Sequence, residues 1–228
     1  MSALGWLTCD LGQVPVEDDW LSDAERAVLS GLSFPKRRRD WRLGRWAAKA
    51  AVSALCAVPL ACIEVLAASD GAPDAWVSGA RIDVSLSLSH RADRALAVVR
   101  DGTGTIGCDL EVIEPRSPAF VLHWLAPAER ELVATADPEG RPLLANLFWS
   151  AKEAAAKARR QGLRLDVRDA VANVVGPNYA YEWEPLTVNW ADVCGGTGGW
   201  WRHEPGWVIA IAGEPAPMIP RRLAPGNA

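Results

Sequence analysis

The chain reads as an α+β protein in two halves, and three observations point there. Along the sequence, two helical patterns lead into strands, and then further strands, a long helix and more strands follow. The 228 residues suit one large domain or two small ones, and either can bury a core. Half the residues are hydrophobic and 23% charged, the balance of an ordinary globular chain. The halves fall at 1–105 and 106–213, with a tail at 214–228.

Taken in order, Ser22-Asp23-Ala24-Glu25 is a capping box that opens a short helix. Pro35 sits in the first turn of a second helix, which Pro59 limits at about Val58. Arg38, Arg42, Arg45 and Lys49 recur on it at helical spacing as one basic stripe, opposite Leu43, Trp46, Ala50 and Leu55. Asp70–Gly79 is rich in turn formers and reads as a loop. Arg81–His90 alternates Ile82, Val84, Leu86 and Leu88 with Asp83, Ser85, Ser87 and Ser89, a half-buried strand. Arg94–Arg100 and Ile106–Ile113 follow, and short links suggest an antiparallel meander of all three. Helices are expected at Pro127–Ala134 and Leu143–Arg160, the second closing before Gly162. Short strands are expected at Asp166–Val175, Tyr179–Leu186 and Trp207–Ala212, with a turn at Gly195–Gly199. Glu214–Ala228, rich in Pro and Ala, reads as a mobile tail. No clean internal sequence repeat stands out.

Composition excludes several classes. A net charge of −4 gives no global attraction to nucleic acid or to an anionic membrane, so any basic function is local. The Ala-rich stretch Ala47–Ala68 is broken by Lys49, Pro59 and Glu64 and is no membrane span. The N-terminus lacks a basic leader and soon meets Glu17, Asp18 and Asp19. The five cysteines are scattered without a CxxC pair, the pattern of reduced thiols in a cytoplasmic protein.

Three short stretches carry chemistry. In Gly107-Cys108-Asp109-Leu110-Glu111, residues two apart on a strand share a face, so Asp109 and Glu111 stand side by side. Two close carboxylates resist joint ionisation, and magnesium relieves that by binding one or two carboxylates together with phosphate oxygens. Alone, the pair reads better as a wet strand face. In Trp149-Ser150-Ala151-Lys152-Glu153-Ala154-Ala155-Ala156-Lys157, Glu153 and Lys157 share a helical face. They read as a surface ion pair, or as a third metal carboxylate with a lysine for phosphate one turn away. Lys152 could reach the same substrate from the flank. In Ser87-Leu88-Ser89-His90, His90 is a donor for phosphate at a strand end, or a structural histidine; His123 and His203 sit in no pattern. Taken together the stretches describe a pyrophosphate site with a basic helix beside it. Gly102-Thr103-Gly104 is no P-loop.

These motifs, in this order and spacing, resemble the 4′-phosphopantetheinyl transferases of the surfactin-synthetase-activating type. The family pattern is an S-x-S-H-like stretch, then G-x-D-x-E, then W-x-x-K-E-A-x-x-K, and the likeness is strong from Phe34 to Lys157. The resemblance implies two similar α+β halves with coenzyme A in the cleft between them, and a single chain sufficing as a monomer. It implies magnesium on Asp109, Glu111 and Glu153, and coenzyme A phosphates contacted by His90 and Lys157, with Ser89 and Lys152 alongside. Gly44-Arg45 looks like the family's G-R step, where the arginine meets the 3′-phosphate, with Lys49 further along the stripe. Glu129 stands where the family has a glutamate proposed to help deprotonate the attacking serine. Two positions depart from the pattern. Ala72, in Gly71-Ala72-Pro73, stands where a basic residue is usual, and Cys108 replaces a branched aliphatic one.

The implied reaction moves 4′-phosphopantetheine from coenzyme A onto a serine of an apo acyl or peptidyl carrier protein and releases 3′,5′-ADP. The carrier would be acidic and would dock on exposed hydrophobic and basic residues, Trp124 among the candidates. Fatty-acid, polyketide and non-ribosomal peptide carriers all fit. A non-catalytic paralogue that binds coenzyme A or carrier, and a metal-dependent nuclease, are the rival readings. Three carboxylates are more than a binder needs, and a nuclease wants a basic groove.

Overall fold

The computed structural model describes residues 3–160, 166–174, 182–191 and 195–224. The fold is mixed α+β, and its contacts divide the chain into two compact units: residues 1–104 with 220–228, and residues 105–219.

The first unit opens on strand β1 (Leu4–Asp10), followed by helices α1 (Asp23–Ser30) and α2 (Pro35–Cys56). The capping box forms as the sequence predicts: Ser22 Oγ accepts from Glu25 N at 3.2 Å and Glu25 Oε2 accepts from Ser22 N at 3.0 Å. Then come β2 (Ile63–Ala67), β3 (Pro73–Val77), β4 (Ala80–Arg81), β5 (Val84–Arg91) and β6 (Arg94–Asp101). One sheet has the order β12-β1-β6-β5, where β12 is Arg221–Arg222, and β2-β3-β4 make a smaller antiparallel sheet. α2 lies on the larger sheet, with Leu43, Ala47, Ala50 and Ala51 in one core with Leu7, Cys9, Leu86, Ala97 and Val99. Its run of alanines lets helix and sheet approach closely, and burying this apolar surface is worth roughly 25 cal/mol per Å².

The second unit runs β7 (Thr105–Val112), α3 (Pro118–Trp124), α4 (Pro127–Thr135), α5 (Arg141–Ala158), β8 (Ala170–Val174), β9 (Glu184–Trp190), β10 (Thr197–Glu204) and β11 (Trp207–Glu214). Its sheet is antiparallel with the order β7-β11-β10-β9-β8. α5 crosses it, burying Leu147, Phe148, Ala151, Ala154 and Ala155 with Leu186, Val188, Trp201, Val208, Ala210 and Ala212.

Several expectations are corrected. The three-strand meander does not form: β5 pairs with β6, but β7 pairs with β11, because the chain passes from one unit to the other after Gly104. The expected loop at Asp70–Gly79 contains β3, which pairs with β2 on one side and β4 on the other. The expected turn at Gly195–Gly199 contains the start of β10. Gly199 is needed there because a Cβ would lie 2.0 Å from the Ile211 carbonyl oxygen of β11. Residues 220–224 are no loose tail. β12 runs parallel to β1 with Gly5 opposite Arg221, and Leu223 is buried where a Cβ on Gly5 would meet it at 2.7 Å. Of the strand expected at Tyr179–Leu186, residues 179–181 lie outside the described residues, and β9 extends it to Trp190.

Candidate active site

β7 and α5 build the site, and one glycine decides how closely. A Cβ on Gly107 would fall 2.0 Å from the Ala154 carbonyl oxygen and 2.4 Å from Ala158 N, so the backbone of α5 lies directly on β7 at that point. No other residue type permits that approach. Two residues on, Asp109 points to the same face of the strand, and Glu111 two further. Glu153 and Lys157, one turn apart on α5, are carried onto them.

Lys157 Nζ donates to Asp109 Oδ1 at 2.9 Å and to the Cys108 carbonyl oxygen at 3.0 Å. Asp109 is 5% exposed, so the wet strand face is replaced by one lying under a helix. Glu111 accepts from Arg116 Nη2 at 2.8 Å and from Trp149 Nε1 at 3.1 Å. Burial raises the Glu153 carboxyl above its usual range; the negative charges of Asp109 and Glu111 push the same way, against Lys157. Burial alone would lower the Lys157 ammonium, but Asp109, Cys108 and Glu153 outweigh it and hold it up. Three carboxylates thus share one patch with Lys157 and Arg116, leaving negative charge in excess. Among the described residues, no three His, Cys, Asp or Glu side chains are gathered around a common metal position. The donor set still suits a hard divalent cation: every ligand is a carboxylate oxygen, and their mutual repulsion is what a cation relieves.

Ser89, His90, Arg45 and Lys49 belong to the first unit. His90 is exposed at the end of β5, next to the buried Ser89. It lines a recess of about 610 Å³ with Phe34, Lys36, Arg37, Asp40 and Trp41. Arg45 stacks on that Trp41, its guanidinium carbon 4.6 Å from the ring centre. Arg45 is only 9% exposed, and its Nε and Nη1 have no hydrogen-bond partner among the described residues. Burial lowers its pKa to about 10, which still leaves it cationic. A buried guanidinium with unused donors is costly unless an anion completes it. Lys36 and Arg37, which the helical stripe leaves out, would have been found by asking which basic residues share the face of Trp41.

Three expected site residues are corrected. Lys49, 1% exposed, is turned inward: its Nζ donates to Glu25 Oε2 at 2.9 Å and to the Trp20 carbonyl oxygen at 2.6 Å. Lys152, fully buried, pairs with Glu129 Oε2 at 2.7 Å and donates to the Trp124 carbonyl oxygen at 3.0 Å. Burial lowers the Lys152 pKa, and Glu129 opposes the shift. Glu129, 1% exposed, also accepts from Ala126 N and Ala172 N, each at 2.7 Å. Its carboxylate is thus held by three donors, with Lys152 as its buried counter-ion. Trp124 is half-buried, edge-on to Trp149 at 5.2 Å.

Comparison with known proteins agrees with this geometry. A model of the 4′-phosphopantetheinyl transferase superfamily matches residues 105–211, the stretch that contains β7 and α5. The 4′-phosphopantetheinyl transferase HetI of Nostoc sp. (strain PCC 7120 / SAG 25.82 / UTEX 2576) is 28% identical over 145 residues. That match covers 63% of this chain and 61% of the relative, so the likeness spans about three fifths of the relative's length. Residues 105–211, which hold β7 and α5, thus carry the likeness to the 4′-phosphopantetheinyl transferase superfamily.

Proposed function

We propose that the chain transfers the 4′-phosphopantetheine group of coenzyme A to a serine hydroxyl of an acyl or peptidyl carrier protein, releasing 3′,5′-ADP, in the manner of the surfactin-synthetase-activating type. One observation carries the reading: the close approach at Gly107 that puts Glu153 and Lys157 onto Asp109 and Glu111. Asp109, Glu111 and Glu153 are the ligands for magnesium, which supplies Lewis-acid neutralisation of the phosphoryl oxygens. Lys157, raised in pKa and therefore cationic, adds a fixed positive charge where negative charge builds up during transfer. Within the first unit, Arg45, with Lys36 and Arg37 around Trp41, offers donors for a phosphate, and His90 lines the recess with Lys36, Arg37 and Trp41. Glu129, Lys49 and Lys152 take no part in the chemistry.

No helix among the described residues is long and apolar enough to cross a membrane. A monomer acting in the cytoplasm is consistent with this reading. The test is incubation with coenzyme A, magnesium and a panel of apo carriers from fatty-acid, polyketide and non-ribosomal peptide systems, read by mass spectrometry. The expected result is a gain of one phosphopantetheine on at least one carrier. Coenzyme A binding without any mass gain would make the chain a non-catalytic binder, and nicking of plasmid DNA under the same conditions would make it a nuclease.

A further inference from the structure

Glu111 is held more firmly than a surface carboxylate needs to be. Arg116, in the loop after β7, gives Nη2 to Glu111 Oε2 at 2.8 Å and Nε to Asn146 Oδ1 at 2.6 Å, and Nη1 lies 3.7 Å from Glu114 Oε1. Asn146 is fully buried and is itself fixed, donating from Nδ2 to the carbonyl oxygens of Glu114 at 2.8 Å and Pro142 at 2.7 Å. The ring of Phe120 covers the guanidinium at 4.7 Å. On the other carboxylate oxygen, Trp149 Nε1 donates to Glu111 Oε1 at 3.1 Å. That indole is wedged edge-on between Phe120 at 5.4 Å and Trp124 at 5.2 Å. An exposed ion pair contributes little because two long side chains must be ordered to form it. Here the Arg116 and Glu111 side chains are 15% and 14% exposed, and both donors are immobilised before they meet the carboxylate. Both oxygens are therefore gripped, and the carboxylate plane is fixed.

We propose that Arg116 and Trp149 are positioning residues that orient Glu111 as a metal ligand, an inference that rests on the transferase reading above. They act through Glu111, as hydrogen-bond partners of ligating carboxylates do, where loss of such a partner costs about 10–100-fold in metal affinity or activity.

The test uses the full chain, stripped with chelator, in four forms: wild type, Arg116→Met, Arg116→Lys and Trp149→Phe. Magnesium affinity is read by calorimetry and manganese affinity by electron paramagnetic resonance, alongside transfer kinetics. Arg116→Met is expected to weaken magnesium binding by about tenfold or more and to raise the magnesium needed for half-maximal transfer, with the KM for coenzyme A unchanged. Arg116→Lys should recover part of the loss, because it keeps the charge but not the fork that also reaches Asn146. Trp149→Phe keeps an aromatic ring between Phe120 and Trp124 but removes the N–H donor with the pyrrole half of the indole, so it too should weaken magnesium binding, and it decides the matter if Arg116→Met does not fold. Unchanged metal affinity in Trp149→Phe and in a folded Arg116→Met, with a wild type that transfers normally, overturns the positioning role and leaves the transferase reading intact. Tighter binding in Arg116→Met overturns it as well, since Arg116 would then be a competing counter-charge. A wild type that neither binds magnesium nor modifies any carrier removes the reading on which the proposal stands.

Discussion

At the scale of single residues, charge and burial decide what each group can do. Glu153 is the carboxylate whose proton the fold favours, because helix burial and two neighbouring carboxylates oppose its ionisation. A carboxyl raised in the folded state above its unfolded value near 4.5 costs stability when ionised at neutral pH, and that cost vanishes as pH falls below the unfolded value. Glu153→Gln should therefore raise the melting temperature of chelator-treated protein at pH 7, with no gain in acid. The same variant should lose transfer by on the order of 100-fold or more and lose the thermal shift that magnesium gives the wild type. A variant that transfers normally would remove Glu153 from the metal site. Cys9 makes the same case at higher pH. Burial, helped by the negative charge of Asp10, pushes its thiol up to about 11 from 9.0. The folded state keeps that proton after the unfolded chain has lost it. Its contribution is complete below pH 9 and disappears as pH rises to about 11, roughly 2–3 kcal/mol in all. Denaturant titrations of wild type and Cys9→Ala across that window should converge by this amount, and at neutral pH a maleimide should label the exposed Cys62 and spare Cys9.

At the scale of elements, the G-x-D-x-E stretch is a packing instruction as much as a ligand set. Asp109 and Glu111 could be read as neighbours from strand geometry alone, and Glu153 and Lys157 from helix geometry. That strand and helix meet was legible only through the family pattern, since the contact is set by backbone atoms of Ala154 and Ala158 against Gly107. Gly107→Ala should force α5 outward. We expect transfer to fall at least tenfold, with a loss of several °C in melting temperature, because the atoms in the way are backbone and cannot yield as a flexible side-chain tip does. An alanine variant with unaltered activity would mean that the approach of α5 is not what assembles the site. Other elements escaped the sequence for physical reasons. β1, Leu-Gly-Trp-Leu-Thr-Cys-Asp, shows no alternation because the residues of Leu4–Leu7 are all buried, which erases the period-two signal. β3 begins on a proline within a turn-rich stretch, and its pairing partners rather than its composition make it a strand. The basic stripe of α2 was read as one face, yet Arg38 and Arg42 are half-buried while Arg45 and Lys49 are buried, because period alone does not say which side of a helix is covered.

At the scale of the whole molecule, the two units use one device twice, in a repeat that the sequence analysis passed over. Trp20-Leu21-Ser22-Asp23-Ala24-Glu25-Arg26 matches Trp124-Leu125-Ala126-Pro127-Ala128-Glu129-Arg130, and Trp46-Ala47-Ala48-Lys49 matches Trp149-Ser150-Ala151-Lys152. The segments between the matching pieces differ by a single residue but share little else, so the repeat shows only in these short pieces. In space the roles coincide. Glu25 accepts from Ser22 N and Val65 N and meets Lys49; Glu129 accepts from Ala126 N and Ala172 N and meets Lys152. Each lysine also caps the carbonyl of the repeat's tryptophan, and Arg26 and Arg130 each donate to the carbonyl of its leucine. The units differ where the chemistry lies: next to the repeated lysines, Glu153 is answered by Ala50 in the first unit, and Ala50 lies in its apolar core. The pair is therefore shared structure, and the carboxylates of the proposed function, Asp109, Glu111 and Glu153, belong to the second unit. This separates Glu129 from catalysis in a measurable way. Breaking a buried pair strands its partner, so Lys49→Met and Lys152→Met should each cost about 3–5 kcal/mol in denaturant unfolding. Glu129→Gln strands the Lys152 ammonium in the same way and turns an amide NH2 toward a backbone N–H, so it should cost a similar amount. In all three, transfer per folded molecule should stay within about twofold of wild type, with an unchanged pH profile. A general base would behave otherwise: Glu129→Gln would fold normally and lose about 10²–10⁴ in rate.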